Sequence, residues 1–331
     1  MSTATPLLEA RAVSRHFSVT IAQGWKRNQR SVQAVDAVDI ALHPGETLGL
    51  VGESGCGKTT LSRLLLGLEA PTGGAVYFRG RDLATASRDE LREFRRSVQP
   101  VFQNPYSSLD PRMKVGSIVG EPLRVGGASR QEAAAKVAQA LERVGLTASD
   151  TTRYPHEFSG GQRQRVAIAR ALACSPQLIV LDEAVSSQDI SIRAQILNLL
   201  KDLQAELGLA YLFVAHDLAT VRYMSQRVAV MYLGRIVELA SSDALYDHPE
   251  HPYTRALLSA CLPDDPDAPV PTDMLSGELP SPLAPPTGCH FHTRCPIAVD
   301  ACKAAAPELR VIGSSQLVRC IKVPETSHSN V

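Results

Sequence analysis

Residues 47–60 read Thr47-Leu48-Gly49-Leu50-Val51-Gly52-Glu53-Ser54-Gly55-Cys56-Gly57-Lys58-Thr59-Thr60. An apolar run of five residues thus leads into a glycine-rich loop that fits the pattern G-x-x-x-x-G-K-[ST] at every fixed position. Helically spaced leucines follow from Leu61 onward. Glycines let the backbone curl so that successive N–H groups point at phosphate oxygens, and a helix N-terminus adds the positive end of its dipole. The stretch predicts a strand, a phosphate-binding loop and a helix, in that order.

The polar side chains of this loop indicate a nucleoside triphosphate with magnesium. Lys58 is placed to reach the β- and γ-phosphates, and the Thr59 hydroxyl to ligate Mg²⁺. Cys56 is interpreted as a small filler residue, although an alkylated thiol at this position would block the nucleotide. The whole loop, from Gly52 to Thr60, is predicted to contact ATP.

A second apolar run, Leu178-Ile179-Val180-Leu181, ends in two carboxylates, Asp182 and Glu183. A buried parallel strand delivers such residues to the carboxyl edge of the sheet, where ligands bind in open α/β folds. We expect Asp182 to hold Mg²⁺ through water and Glu183 to polarise the water that attacks the γ-phosphate.

Composition and patterning indicate a globular protein. The 331 residues, of which 44% are apolar and 21% charged, allow about two domains and exclude a disordered chain. Lys+Arg and Asp+Glu both total 34, so no net charge draws the chain to nucleic acid. The N-terminus does not read as a signal peptide, and no apolar run reaches the roughly 18 residues of a spanning helix. Apolar strands that alternate with helices, such as the helix at 190–207, predict an α/β core with a parallel sheet.

The stretch Phe158-Ser159-Gly160-Gly161-Gln162-Arg163-Gln164-Arg165 resembles the signature motif of ATP-binding cassette (ABC) ATPases, with Phe in place of the usual Leu. Ser159, Gly160, Gly161 and Gln162 open a predicted helix, whose N–H groups and hydroxyl can bind a γ-phosphate. The resemblance implies two cassettes that sandwich two ATP molecules. Because this chain holds a single cassette, the second is expected on another polypeptide.

Three further residues match ABC positions in the expected order. Gln103 matches the residue that contacts Mg²⁺ and water, His216 matches the switch histidine at the γ-phosphate, and Phe17 matches the aromatic residue that stacks on adenine. Gln188 departs from the pattern, because an apolar residue is expected there at the contact between cassettes. We therefore expect Gln188 to affect the contact between the two cassettes and not the binding of nucleotide.

The resemblance also implies a domain organisation. Residues 1–240 are expected to form the ABC-type P-loop core, with an antiparallel β-subdomain and an α-helical signature subdomain at about 104–175. Residues 241–331 are expected to form a Pro- and Cys-rich C-terminal extension.

Four stretches outside the shared ATPase motifs resemble the ATP-binding subunits of dipeptide/oligopeptide importers, closest to the DppF/OppF type. They are Asn104-Pro105-Tyr106-Ser107-Ser108-Leu109-Asp110-Pro111-Arg112, Arg153-Tyr154-Pro155-His156-Glu157-Phe158, His251-Pro252-Tyr253-Thr254-Arg255-Ala256-Leu257-Leu258 and Ser276-Gly277-Glu278-Leu279-Pro280-Ser281-Pro282. The resemblance implies an ATP-hydrolysing subunit that powers peptide import from the cytoplasmic face of the inner membrane.

The implied partners are a second ATPase subunit in a heterodimer, two integral membrane permeases and an extracytoplasmic peptide-binding protein, with no nucleic acid. A nickel or glutathione importer is the alternative within the family. A soluble, non-transport ABC ATPase is the alternative from another class.

Four of the seven cysteines follow the spacing Cys289-x5-Cys295-x6-Cys302-x17-Cys320. Disulfides are not expected in a reducing compartment, and four-cysteine sets bind zinc or an iron–sulfur cluster. The gaps are wider than those of usual zinc sites, while His290 and His292 leave a mixed Cys/His zinc site open. The importer resemblance implies a [4Fe–4S] cluster on the four cysteines, with zinc, or packed thiols without metal, as alternatives.

Overall fold

The computed structural model describes residues 5–23, 26–102, 108–185, 188–260, 277–313 and 316–324. The strands in these ranges are β1 (Leu8–Gln23), β2 (Lys26–Leu42), β3 (Thr47–Val51), β4 (Gly73–Phe78), β5 (Arg81–Asp82), β6 (Val98–Val101), β7 (Leu178–Asp182), β8 (Ala210–Val214), β9 (Arg227–Tyr232), β10 (Arg235–Ser241), β11 (Arg310–Ile312) and β12 (Gln316–Val318).

The helices in the same ranges are α1 (Lys58–Leu65), α2 (Arg88–Ser97), α3 (Val115–Val119), α4 (Glu121–Val125), α5 (Arg130–Arg143), α6 (Gly160–Leu172), α7 (Ile190–Leu207), α8 (Leu218–Met224), α9 (Ser242–Asp247), α10 (Pro252–Ser259) and α11 (Asp300–Ala304). Short 3₁₀ turns lie at Ala148–Thr152 and Pro155–Glu157. Among the described residues, no helix combines the length and the apolar character needed to cross a bilayer.

Two sheets carry the fold. The larger sheet has the strand order β11-β12-β10-β9-β3-β8-β7-β6, and its pairs from β9 to β6 are parallel. The smaller sheet, in the order β2-β1-β4-β5, is antiparallel. The predicted α/β class with a parallel sheet and an antiparallel subdomain is confirmed. β3 lies between β8 and β9 and runs parallel to both. The glycine-rich loop follows the end of β3, so it lies at the carboxyl edge of the parallel sheet.

The parallel strands alternate between two apolar cores. Every residue of β3, β7 and β8 is buried, as expected for strands covered on both faces. Leu178 and Val180 point to the core shared with the antiparallel sheet, and Ile179 and Leu181 point to the core shared with the helices. Because alternate side chains of β7 point to opposite faces of the sheet, this strand contributes to both apolar cores.

A helical region lies between β6 and β7 and contains α3 to α6. The predicted alanine-rich helix forms as α5, which begins at a capping box of Ser129 and Glu132. The chain turns away two residues after α5 at Gly145, whose φ is 75°. Buried residues of α5 and α6 pack together in the core on the helical side, so α6 is held firmly with its N-terminus at the surface.

The region after residue 240 adds strands to the large sheet. β12 pairs with β10, and β11 pairs with β12, both antiparallel. The buried Glu238 on β10 accepts hydrogen bonds from the backbone N–H groups of Glu250 (2.8 Å) and His251 (2.9 Å) and from Nε2 of Gln316 (2.6 Å). Burial raises the pKa of this carboxyl. One side chain thus binds the adjoining residues Glu250 and His251, and the distant Gln316, to the large sheet.

Candidate nucleotide site

The glycine-rich loop requires glycine at two positions. Gly52 and Gly57 have φ angles of 152° and 113°. A Cβ atom at Gly52 would lie 2.2 Å from the carbonyl oxygen of Met231, and one at Gly57 would lie 2.2 Å from that of Ala34. Both contacts are with backbone, so neither can relax easily. The fixed glycines of the motif are therefore set by the close approach of β9 and β2 as well as by the curl of the loop.

Lys58 folds back over the loop. Its side chain is buried, and Nζ donates to the carbonyl oxygens of Gly52 (2.7 Å) and Glu53 (3.0 Å). A buried ammonium needs such acceptors. Cys56 lies beside it, with its sulfur 3.7 Å from Nζ. Burial raises the pKa of the Cys56 thiol, so the thiol stays protonated, in agreement with its interpretation as a filler.

Asp182 and Thr59 form a corner whose chemistry fits magnesium. Asp182 ends β7 with only 8% of its surface exposed, and its carboxylate accepts a hydrogen bond from the Thr59 hydroxyl. Burial and the neighbouring Glu183 raise the pKa of this carboxyl. Its Oδ1 is buried and has no hydrogen-bond donor among the described residues. A hard cation takes oxygen ligands, so these two side chains can hold Mg²⁺.

Glu183 and His216 meet at the same edge of the sheet. Glu183 follows β7 directly and has a φ of 49°, and its N–H donates to the carbonyl oxygen of Val214 at the end of β8 (2.9 Å). Its Oε1 lies 3.8 Å from Nδ1 of His216. The His216 side chain is 60% exposed and that of Glu183 is 22% exposed. The backbone of Glu183 is thus fixed at the end of β8, and the exposed His216 side chain can contact a ligand.

The signature stretch lies at the exposed N-terminus of α6. Ser159 and Gln162 form a capping box in which Oγ of Ser159 accepts from the N–H of Gln162 (3.3 Å) and Oε1 of Gln162 accepts from the N–H of Ser159 (3.0 Å). Gly161 packs so closely on α7 that a Cβ atom would lie 2.7 Å from Cγ2 of Ile192. Phe158 is buried beneath the Arg153 guanidinium, 4.1 Å from its ring centre. The unusual Phe therefore anchors the motif, while Ser159 faces solvent.

Other predicted residues are placed as follows. Phe17 is half-buried on β1, and the Arg15 guanidinium lies 4.7 Å from its ring centre. Gln188 is half-buried, and it precedes the exposed Asp189 and Ile190. Gln103 lies outside the described residues, so its predicted contact with Mg²⁺ stays a prediction.

The four cysteines of the C-terminal region line a single small cavity together with Phe291 and His292. Burial raises the pKa of the Cys289 and Cys295 thiols, and the proximity of the other thiols raises that of both further. However, the described residues contain no group of three or more His, Cys, Asp or Glu side chains that could hold a metal ion. The described residues therefore do not support the implied [4Fe–4S] site, although thiols are donors of the right kind.

Two residues that contact the phosphate loop, Tyr253 and Arg294, were not predicted from the sequence. The Glu53 N–H donates to Oη of Tyr253 (3.0 Å), and Nη1 of Arg294 contacts both carboxylate oxygens of Glu53 (3.0 and 3.1 Å). Tyr253 belongs to the His251–Leu258 stretch quoted above, and Arg294 precedes Cys295. Tyr253 and Arg294 lie 200 and 241 residues after Glu53 in the sequence, so no local sequence pattern could have indicated these contacts.

A phosphate loop on a parallel sheet is shared by many nucleotide-binding proteins. A second candidate phosphate-binding motif at Ser159 narrows the class of protein, because it is exposed and lies on a helical region inserted between β6 and β7. A chain that carries both devices in this arrangement is an ABC-type ATPase.

Comparison with known proteins gives the same class. The family model described as "ABC transporter" matches residues 35–186, and that described as "Oligopeptide/dipeptide transporter, C-terminal region" matches residues 237–302. The ATP-binding cassette MJ0796, in a dimeric post-hydrolysis state bound to ADP and Pi, has a TM-score of 0.60 at 28% identity, over 71% of this chain and 98% of that one. CbiO1 of Clostridium perfringens, from the transporter complex cbiONQ, has a TM-score of 0.62 at 25% identity, over 74% and 92%.

Relatives match over nearly the whole chain. A putative peptide import ATP-binding protein of Brucella ovis is 49% identical over 97% of this chain and 99% of its own length. The di/tripeptide transport ATP-binding protein DppF of Pseudomonas aeruginosa is 48% identical over 94% and 96%. The oligopeptide transport ATP-binding protein AppF of Bacillus subtilis is 48% identical over 95% and 96%. The chain belongs to the ATP-binding subunits of ABC transporters, in the dipeptide/oligopeptide branch, which confirms the resemblance and the ATPase class.

Proposed function

We propose that this ATPase powers the import of di- or oligopeptides through a membrane transporter. The observation that carries the proposal is the identity of about half of the residues, along almost the full chain, with relatives named for peptide import or peptide transport. The similarity includes the C-terminal region, where the matched family is described by oligopeptide and dipeptide transport. These relatives do not favour the alternatives, which are a nickel or glutathione importer and a soluble ABC ATPase.

The chemistry is assigned to residues at the carboxyl edge of the parallel sheet. Lys58 exchanges its contacts with the loop carbonyls for contacts with the β- and γ-phosphates, and Phe17 stacks on the adenine. Thr59 and Asp182 would hold Mg²⁺, and Gln103 is assigned to the same ion, which would offset the phosphate charge. Glu183 accepts the proton of the attacking water, and His216 contacts the γ-phosphate from the neighbouring strand.

The site is completed by a second cassette. Ser159 and the N-terminus of α6 point into solvent, so they are available to the nucleotide of a partner chain, as the partner's equivalent residues are to the nucleotide bound here. The proposed partner is a different ATPase subunit, and the pair acts on two permeases that receive peptide from an extracytoplasmic binding protein. The chain then lies on the cytoplasmic face of the inner membrane. Residues 1–240 form the cassette, and 241–331 form the extension.

Reconstitution tests this proposal. The two ATPase subunits and two permeases are assembled in lipid nanodiscs, and MgATP hydrolysis is measured with the binding protein loaded with a dipeptide, nickel or glutathione. Stimulation by the dipeptide-loaded protein alone is expected. Stimulation by binding protein loaded with nickel or glutathione would show that the chain serves an importer of that cargo instead. Failure to assemble with any permease would favour a soluble ATPase. Glu183→Gln in the same assembly supplies the background rate.

The [4Fe–4S] cluster is a separate proposal, which rests on the importer resemblance and on four thiols that line one cavity. The described residues do not favour it, because they contain no group of side chains that could hold a metal ion. Anaerobic purification followed by iron, sulfide and zinc analysis tests it. About four irons per chain, lost in a Cys302→Ser variant, are expected. A colourless preparation without iron would leave zinc or packed thiols.

A further inference from the structure

Two side chains of the C-terminal region hold one residue of the phosphate loop from two directions. Tyr253 accepts a hydrogen bond from the Glu53 N–H, and Arg294 forms an ion pair with the Glu53 carboxylate. The first contact fixes the backbone just before the loop turns, and the second fixes the side chain. Glu53 is therefore joined to the C-terminal region at both of its polar groups.

The side chains of Tyr253 and Arg294 are both held in place by packing. Tyr253 is fully buried, and only 6% of the Arg294 side chain is exposed. Tyr253 packs against Tyr232 (4.6 Å between ring centres) and Phe291 (5.4 Å), and the Arg294 guanidinium lies 6.0 Å from the ring centre of Tyr232. Because Phe291 and Arg294 lie on the same short stretch between Cys289 and Cys295, the loop contact depends on how that stretch is packed.

Charge gives the contact a direct effect on ligand binding. The loop receives a triphosphate, and a carboxylate within it repels that ligand unless a cation neutralises it. Lys58 is already held by two carbonyls and is needed for the phosphates. Arg294 is the cation that contacts the Glu53 carboxylate directly, and an ion pair shielded from solvent is little screened by salt.

We propose that Arg294 and Tyr253 are positioning residues through which the C-terminal region sets the ATP affinity of the phosphate loop. Arg294 neutralises Glu53, and Tyr253 keeps the adjoining backbone in the conformation that receives the phosphates. This rests on the assignment of Gly52–Thr60 as the ATP-binding loop, and it does not depend on the cargo.

The test measures binding of MgATP to the full-length chain by titration calorimetry. Arg294→Ala is expected to weaken binding about tenfold, or about 1.4 kcal/mol, since it leaves a partly shielded carboxylate unpaired beside the phosphates. The double variant Arg294→Ala/Glu53→Gln is expected to recover to within about threefold of the wild type, because the uncompensated charge is gone. Rescue by removal of a charge is not expected if Arg294 only stabilises the fold.

Arg255→Ala is the matched control, because Arg255 lies in the same region, is 59% exposed and pairs with Glu250 rather than with the loop. Its affinity for MgATP should equal that of the wild type. Tyr253→Phe removes one hydroxyl and keeps the ring. It should weaken binding about threefold to tenfold, through the lost hydrogen bond, and should speed hydrogen exchange in a peptide covering residues 52–58.

Two results would overturn the proposal: unchanged affinity in both Arg294→Ala and Tyr253→Phe, or a double variant as weak as Arg294→Ala. If Arg294→Ala does not fold, Arg294→Lys replaces it. Lysine keeps the positive charge but lacks the planar guanidinium group, so MgATP binding near wild-type strength is expected. Arg294→Gln, which removes the charge, should bind MgATP weakly. Lys58→Ala, which removes the main phosphate contact, separates these results from failure of the ATP-site assignment itself.

Discussion

Glu183 adopts a left-handed backbone conformation, with a φ of 49°, that residues other than glycine seldom adopt. Such strain costs about 1–3 kcal/mol and persists where surrounding contacts impose it, often at functional sites. Here the hydrogen bond from its N–H to Val214 holds the residue at the end of two neighbouring strands. The strained backbone aims the carboxylate at the sheet edge, towards His216.

Glu183→Gln should preserve MgATP binding and lower the hydrolysis rate of the assembled cassette pair by about 10²- to 10⁴-fold, because the amide cannot accept the proton of water. Binding is measured by calorimetry and turnover by phosphate release. Glu206→Gln is the control, since Glu206 is a mostly exposed carboxylate on α7. Hydrolysis that survives intact would mean that another group is the base.

Lys58→Ala should abolish measurable MgATP binding while the chain remains folded. The lysine is buried, but its two acceptors are loop carbonyls that water can reach once the side chain is removed, so the loss is mainly of phosphate contact. Calorimetry and thermal unfolding measure the two effects separately. Lys201→Ala, at a lysine stacked on Tyr223 away from the loop, should leave binding unchanged. Retained affinity in Lys58→Ala would contradict the assignment of the loop.

At the scale of elements, the α6 N-terminus and the α5 N-terminus form a natural pair for comparison. Both begin with a capping box, at Ser159 with Gln162 and at Ser129 with Glu132, and both serine Oγ atoms accept from an N–H at 3.3 Å. Local stabilisation is therefore nearly equal. Of the two helix N-termini, only that of α6 is proposed to contact the nucleotide of a partner chain.

Ser159→Ala and Ser129→Ala should each lower the free energy of unfolding by about 1 kcal/mol, through loss of the cap. Only Ser159→Ala should also reduce ATP turnover of the assembled pair, with MgATP binding to the isolated chain unaffected. Chemical denaturation and phosphate release measure the two effects. Equal turnover in both variants would show that Ser159 is merely a helix cap.

Local elements were largely predictable from the sequence, because their signals are local. The run before Gly52, the run before Asp182 and the alanine-rich α5 each carry their own period, burial pattern or cap. The pairing of β12 with β10 was not predictable, since a three-residue strand far along the chain has almost no pattern of its own. Tyr253 and Arg294 were missed for the same reason: their partner is set by packing.

At the scale of the whole molecule, the C-terminal region is continuous with the ATPase core. β12 and β11 extend the sheet that carries the phosphate loop, and Glu238 holds the region at two places through three hydrogen bonds. The loop is thus supported by this region through Tyr253 and Arg294, and the nucleotide that it binds is proposed to be contacted by a partner cassette as well. An incomplete site of this kind predicts how the rate depends on assembly.

The purified single chain should hydrolyse MgATP slowly, and assembly with its partner subunit and permeases should raise turnover by about 10²- to 10³-fold. The reason is that donors aimed at the γ-phosphate from the partner's helix supply charge stabilisation that the open site lacks, and loss of one such donor costs about that factor in other enzymes. Turnover is measured at matched chain concentrations, with the oligomeric state followed by light scattering and with Glu183→Gln as background. A monomer that turns over as fast as the full assembly would contradict the shared site, and with it the role assigned to Ser159.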